Sequence, residues 1–308
     1  MKRTLVFLGF FCIFFISLPK ISAQENAEYF VKQGITAARL GYTEEAIQNF
    51  NNAIFMDPTL PEAWYNRGVL YYKIGNFNKA LFDLDQAVRL NSKQATVYYQ
   101  RGLIHHALSN DSIAAKDFQT ALSLDNSLSD AFFNLGLIQF EHQDYEKALS
   151  NFNQVVRLDS KDARAFYHRG LCKHHLGKFF EAIADYDTAL SLSPLDMEIL
   201  LSRGVSKAEA GYYFTAIDDF TRVIQSNPQY AEAYFNRAMA RFTLYKFAEA
   251  ESDYHMAYSL DSSAEALTGR GLSRLAQHQN DAGCTDLKMA AELGYEPAKK
   301  YLLNFCKD

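Results

Sequence analysis

Small and aromatic residues recur along this chain at a fixed pitch. Glycines 34, 68, 102, 136, 170 and 204 are each 34 residues apart, Ala238 continues the series, and Gly271 follows after one deletion. Four residues before these stand Phe30, Trp64, Tyr98, Phe132, Phe166, Leu200, Tyr234 and Leu267. Twelve residues after them come Ala46, Ala80, Ala114, Ala148, Ala182, Ala216, Ala250 and Gly283. Sixteen after come Phe50, Leu84, Phe118, Phe152, Tyr186, Phe220, Tyr254 and Leu287. With the first small residue numbered as position 8 of a unit, a turn of about 100° per residue puts positions 4, 7, 8 and 11 on one side of a helix, A. Positions 2, 5, 6, 9, 12 and 13 lie on the other side. The small residues at 8 and 20 let helix A approach a second helix, B. Glycine at position 15 (Gly41, Gly75, Gly177, Gly211) predicts the end of helix A. No unit can bury its aromatic face alone, so the pattern predicts an all-α chain of stacked helix–turn–helix units.

The stretch AWYNRGVLYYKIGNFNKALFDLDQAV, residues 63–88, resembles the tetratricopeptide repeat (TPR), with Arg67 where leucine is usual. The resemblance covers about residues 27–294 and divides them into eight units: 27–60, 61–94, 95–128, 129–162, 163–196, 197–230, 231–263 and 264–294. It implies a right-handed α-solenoid whose A helices line a concave side, and protein binding rather than catalysis. Residues 295–308 are expected to form a capping helix. Pro297 suits its first turn, and Ala298, Tyr301, Leu302 and Phe305 make one apolar stripe.

Position 7 faces the core, yet it is arginine in six units: Arg67, Arg101, Arg169, Arg203, Arg237 and Arg270. A buried guanidinium needs a partner. Position 23 on helix B supplies one: Asp83, Asp117, Asp185, Asp219, Asp253 and Asp286. The two units without the arginine, at Gln33 and Leu135, also lack the aspartate and carry Asn49 and Asn151. The two residues come and go together within a unit, which predicts six intra-unit ion pairs with a structural role.

His168, Cys172 and His175 fall at i, i+4 and i+7 on one helical stripe, and histidine with thiolate is a set zinc would accept. In register, however, Cys172 occupies position 10, which elsewhere is Leu70, Ile104, Ile138, Ser206, Ala240 and Ser273. A buried cysteine packs there as a small hydrophobe. His168 continues the polar row at position 6. The packing reading therefore accounts for each residue, and neither metal nor cofactor is expected.

The inner face of the A helices offers a candidate groove. Asn66, Gln100, Asn134, His168, Ser202 and Asn236 form a polar ladder at position 6, and amides suit an extended peptide backbone. Tyr65, Tyr99, Phe133 and Tyr167 run beside it at position 5, and Tyr72 and Phe140 stand at position 12. The basic clamp with which some TPR proteins hold a C-terminal carboxylate needs lysine at 5 and asparagine at 9. Those positions are aromatic and aliphatic here, so that function is not carried over.

The first 23 residues change the picture of where this happens. Lys2 and Arg3, an apolar run from Leu5 to Leu18, and Ile21-Ser22-Ala23 have the layout of a secretory signal peptide cleaved after Ala23. Its removal takes 31 basic residues to 28 against 36 acidic, a net charge of −8. That disfavours nucleic acid as a partner, since its phosphates demand a basic surface, and no later stretch is long enough to insert in a membrane. Export also exposes Cys172, Cys284 and Cys306 to an oxidising compartment. Cys284 lies ten residues before Gly294 and Cys306 twelve after it. If the helices fold back at Gly294, the two thiols sit level to within ~3 Å, which predicts a disulfide.

There is no nucleophile with its base, no glycine-rich phosphate loop and no HExxH. The expected function is an exported scaffold, periplasmic or extracellular, that binds a protein or extended peptide and serves assembly of an envelope complex. The alternatives are a structural subunit of an envelope machine, or a metal-dependent enzyme using His168, Cys172 and His175.

Overall fold

The computed structural model describes residues 23–91 and 93–306. The signal-peptide reading lies outside these residues. Among the described residues there are 17 helices and no strands, and none of the helices is long and apolar enough to cross a membrane.

The chain divides into two compact units, the first ending at Leu124 and the second beginning at Asp125. The first contains α1 (Ala23–Arg39), α2 (Thr43–Met56), α3 (Pro61–Lys73), α4 (Phe77–Leu90), α5 (Ala95–Ala107) and α6 (Asp111–Leu124). Its helices pack consecutively, α1 on α2, α3 on α4 and α5 on α6, and each pair stacks on the next. Phe50, Leu84, Ile104 and Phe118 are fully buried in it.

The second contains α7 (Ser129–Glu141), α8 (Tyr145–Leu158), α9 (Ala163–His175), α10 (Phe179–Leu192), α11 (Met197–Glu209) and α12 (Tyr213–Ser226). It continues through α13 (Ala231–Thr243), α14 (Phe247–Asp261), α15 (Ala264–Ala276), α16 (Asn280–Glu292) and α17 (Glu296–Phe305). The same pairwise stacking holds here, and α17 packs on α16. One continuous core runs through Phe166, Tyr186, Leu200, Phe220, Tyr234 and Tyr254. Burying each such side chain contributes roughly 1.5–3 kcal/mol.

Local chemistry starts and stops these helices. The Asp162 carboxylate accepts from the amides of Arg164 and Ala165, and Asp196 does the same for Glu198 and Ile199, satisfying orphan donors of the first turn. The A helices end in a left-handed residue, Gly177 at φ 72° for example, and units without glycine place Ser109, Gln143, Tyr245 or His278 in the same conformation. The A and B helices touch because Gly170 has no side chain: a Cβ there would sit 2.6 Å from Tyr186 Cε1.

At the C-terminus the disulfide joins Cys284 to Cys306, with Cα atoms 5.7 Å apart. The apolar stripe of α17 needs a correction. Ala298 is buried and Tyr301 and Leu302 half-buried, but Phe305 is 60 % exposed. Its ring stacks on that of Tyr301.

Candidate functional site

Each arginine at position 7 makes a wider clamp than a pair. Arg67 donates from Nε and Nη2 to the two carboxylate oxygens of Asp83, both at 2.8 Å. Arg169 grips Asp185 with the same fork, at 2.9 and 2.6 Å. The aspartates are buried, Asp83 to 1 % exposure and Asp185 to 4 %. The third nitrogen, Nη1, turns to the preceding unit: Arg67 to Asn51 at 2.6 Å, Arg101 to Asp85 at 2.9 Å, Arg169 to Asn153 at 3.2 Å and Arg203 to Asp187 at 2.7 Å. Arg237 reaches Thr221 and Arg270 reaches His255 in the same way. In four of the six units the ring three residues before the arginine lies under its guanidinium, as with Trp64 at 5.1 Å and Phe166 at 5.0 Å, adding a cation–π contact. Hydrogen bonding to Asp117 raises the pKa of Arg101 further above its already high ordinary value.

In the last four units a second cation, at position 11, reaches the same carboxylate. Lys173 is 2.8 Å from Asp185, Lys207 2.8 Å from Asp219 and Arg274 2.8 Å from Asp286; Arg241 joins Asp253. In one of the two units that lack the pair, Asn151 instead donates to Gln139, which occupies position 11, at 2.6 Å.

The residues of the metal alternative are engaged in packing. The Cys172 side chain is fully buried among Phe133, Phe152 and Val155, and burial pushes its thiol up to about 12, so it is neutral. His168 stacks on Phe152 at 5.4 Å and meets the edge of Phe133 at 5.3 Å. His175 stacks on Tyr145 at 4.5 Å. All three side chains are taken up by packing contacts, and no group of three metal-ligating side chains comes together among the described residues.

The expected groove residues divide between the two compact units. Tyr65, Asn66, Tyr72, Tyr99 and Gln100 are in the first, all half-buried. Asn134, Phe140, Tyr167, His168 and Asn236 are half-buried in the second. Phe133 is not a groove residue: it is 9 % exposed in the core with Phe152, and Arg164 covers its ring at 4.8 Å. His168 is also turned inward. Its Nδ1 is buried with no hydrogen-bond partner, and burial, with the nearby Arg164 charge, lowers its pKa to about 4. The amides are partly committed to their own helices, since Asn66 donates to the Glu62 carbonyl and Asn134 to that of Asp130, both at 2.7 Å. Burial raises the pKa of Tyr65 and Tyr167, which hydrogen bond to Thr96 and Ser202 respectively.

This fold of paired helices matches the tetratricopeptide repeat family over residues 38–75, 61–94, 95–128, 112–162, 133–197 and 201–265. The chain belongs to that family, whose members are typically non-catalytic interaction scaffolds. Among curated proteins, an uncharacterized protein of Methanocaldococcus jannaschii, MJ0572, is 37 % identical over 43 residues, 14 % of this chain; the match spans about half (50 %) of that relative's length. Among solved structures, the C-terminal part of a TPR repeat-containing protein from Cytophaga hutchinsonii aligns with a TM-score of 0.64 at 18 % identity, covering 78 % of this chain and 98 % of that one. A tetratricopeptide repeat protein from Parabacteroides merdae aligns over 91 % of this chain and 98 % of its own, with TM-score 0.51 and 20 % identity. YrrB, described as a TPR protein with an unusual peptide-binding site, aligns over 56 % of this chain and 90 % of its own, with TM-score 0.51 and 22 % identity.

Proposed function

We propose that this chain is an exported, non-catalytic scaffold of eight tandem repeats that binds a protein through an extended segment laid along its A helices, in the assembly of an envelope complex. The reading rests on one observation above others. The inner stripe of the A helices carries half-buried rings and amides, Tyr65, Asn66, Tyr99 and Gln100 in one unit and Asn134, Tyr167 and Asn236 in the other. Such a stripe offers amides and ring faces that an extended peptide can use. Export is read from the first 23 residues, and an acidic chain of this kind disfavours nucleic acid.

Affinity capture on the immobilised mature chain, from the cell's envelope fraction, tests the reading. The partner should be lost when Asn66 and Gln100 are both replaced by alanine, with the helical circular dichroism unchanged. A partner that binds this variant with native affinity removes the A-helix face of the first compact unit from the account. Recovery of the chain uncleaved from the cytoplasm removes export.

A further inference from the structure

The second compact unit contains an open cavity of about 190 Å³ between α9, α10, α11 and α13. Leu171, Leu201 and Val205 give it apolar walls, and Tyr186 closes its base. At ~30 Å³ per water it has room for about six waters, the bulk of one long side chain.

Two features define what this cavity can hold. The first is at its base. Tyr186 is fully buried there, burial raises its phenol pKa, and the Ser206 hydroxyl beside it opposes that rise. The Ser206 Oγ is also 2.8 Å from His174 Nδ1, so the base is closed by packed side chains and the walls above it are apolar.

The second is the charge at the mouth. Glu232 stands on the rim, and partial burial followed by the charge of Glu198 raises its pKa. Burial, and then the charges of Glu198, Asp196 and Glu232, also raise the Tyr167 phenol. Three carboxylates are thus felt at one tyrosine. Asp196 is committed to the first turn of α11, and Glu198 accepts a hydrogen bond from the Tyr230 hydroxyl at 2.9 Å. Glu232 is hydrogen bonded to Asn236. Neither lysine nor arginine lines the cavity. Glu232 and Glu198 are both exposed, so their charge is open to a ligand.

We propose that this cavity receives a lysine or arginine side chain of the bound segment, its aliphatic stem against Leu171, Leu201 and Val205 and its cationic head between Glu232 and Glu198. The proposal rests on the reading that the A helices bind an extended peptide, and it names what that peptide must carry. A long basic side chain fits both halves of the site, since its methylenes bury along apolar surface while the head stays at the charged rim. A carboxylate side chain would meet two like charges, and a plain aliphatic one would leave the rim unpaired.

The test uses the mature chain and blocked, fluorescein-labelled heptapeptides, Ala-Ala-Tyr-Xaa-Ala-Tyr-Ala, read by fluorescence anisotropy at low salt. Xaa is arginine, lysine, citrulline, norleucine or glutamate. The arginine and lysine peptides should bind about tenfold more tightly than the citrulline and norleucine peptides, and the glutamate peptide most weakly. The preference should shrink in Glu232→Gln, vanish in Glu198→Gln/Glu232→Gln, and fall with added salt. Both substitutions are at exposed positions, and unchanged circular dichroism shows that the variants fold. Peptides that bind alike whatever the central residue, or a cation preference that survives the double variant, overturn the cavity assignment and leave the scaffold reading standing. Failure of every peptide in the series to bind overturns both.

Discussion

Replacing His168 by asparagine, the residue at the same register in Asn66, Asn134 and Asn236, should remove a defined part of the protein's acid sensitivity. His168 is packed between Phe152 and Phe133, its Nδ1 buried and unpartnered. That environment disfavours the imidazolium and lowers the pKa from 6.5 to about 4. The sign follows from proton linkage. Below its ordinary pKa the unfolded chain binds a proton that the folded chain refuses, so stability is complete above about pH 6.5 and is lost as the pH falls toward about 4. Between about pH 7.5 and about pH 4.5 this one site should cost about 2.5 kcal/mol. His105 and His174 are also lowered by burial, so the wild type loses more than this in total. The difference between wild type and His168→Asn isolates the one ring, and any packing defect in the variant cancels because each protein is compared with itself. Urea unfolding followed by circular dichroism at the two pH values gives the difference, and a ring-proton NMR titration gives the pKa directly. His168 titrating near 6.5 in the folded protein, or equal acid losses in wild type and variant, would refute the argument.

Asp185→Ala strands Arg169 and Lys173 and should cost about 3–5 kcal/mol. The double change Asp185→Asn with Arg169→Leu, which copies the chain's own residues at 151 and 135, should cost much less; a double-mutant cycle without coupling would sink the clamp. Reducing the Cys284–Cys306 bond opens a loop of 22 residues, worth roughly 3 kcal/mol in chain entropy. Hydrogen-exchange protection should then fall in α17 while α9–α12 keep theirs, and an unchanged α17 would show that the bridge does not hold it. Gly269→Asn places a Cβ 2.4 Å from Tyr254 Cζ and should cost about 1–3 kcal/mol by overpacking, a loss that Ala238→Gly should partly restore; thermal unfolding of the single and double variants measures both.

Much of this architecture can be read from the chain, because a unit's partners within itself recur at fixed offsets. An arginine and an aspartate sixteen residues apart that are present or absent together must face each other, and two cysteines nearly equidistant from Gly294 lie level across an antiparallel pair. Groove residues are harder to read. Position 5 looks the same in Tyr65 and Phe133, yet Phe133 is buried, with His168 of the next unit leaning on it. The cavity at Tyr186 was invisible in the same way: it needs the side chains of α9, α10, α11 and α13 together, and no single register contains all four.

What the register conceals is the coupling from one unit to the next. The Nη1 contacts of Arg67 and Arg169 reach sixteen residues back, to Asn51 and Asn153. Asparagine, aspartate, threonine and histidine all serve there, so the partner leaves no constant signature. The series at position 8 shows the same thing. Ala238 supplies the Cβ that the glycines omit, and the Tyr254 ring in that unit lies against Gly269, at position 6 of the following helix. Elsewhere position 6 is lysine, asparagine, glutamine, serine or histidine. An alanine in one unit and a glycine in the next are thus two halves of one packing solution. In a stack of repeats the stability of each interface is a nearest-neighbour term, and here that term is carried by pairs such as Arg169–Asn153 and Tyr254–Gly269. Such pairs fix the spacing between successive A helices.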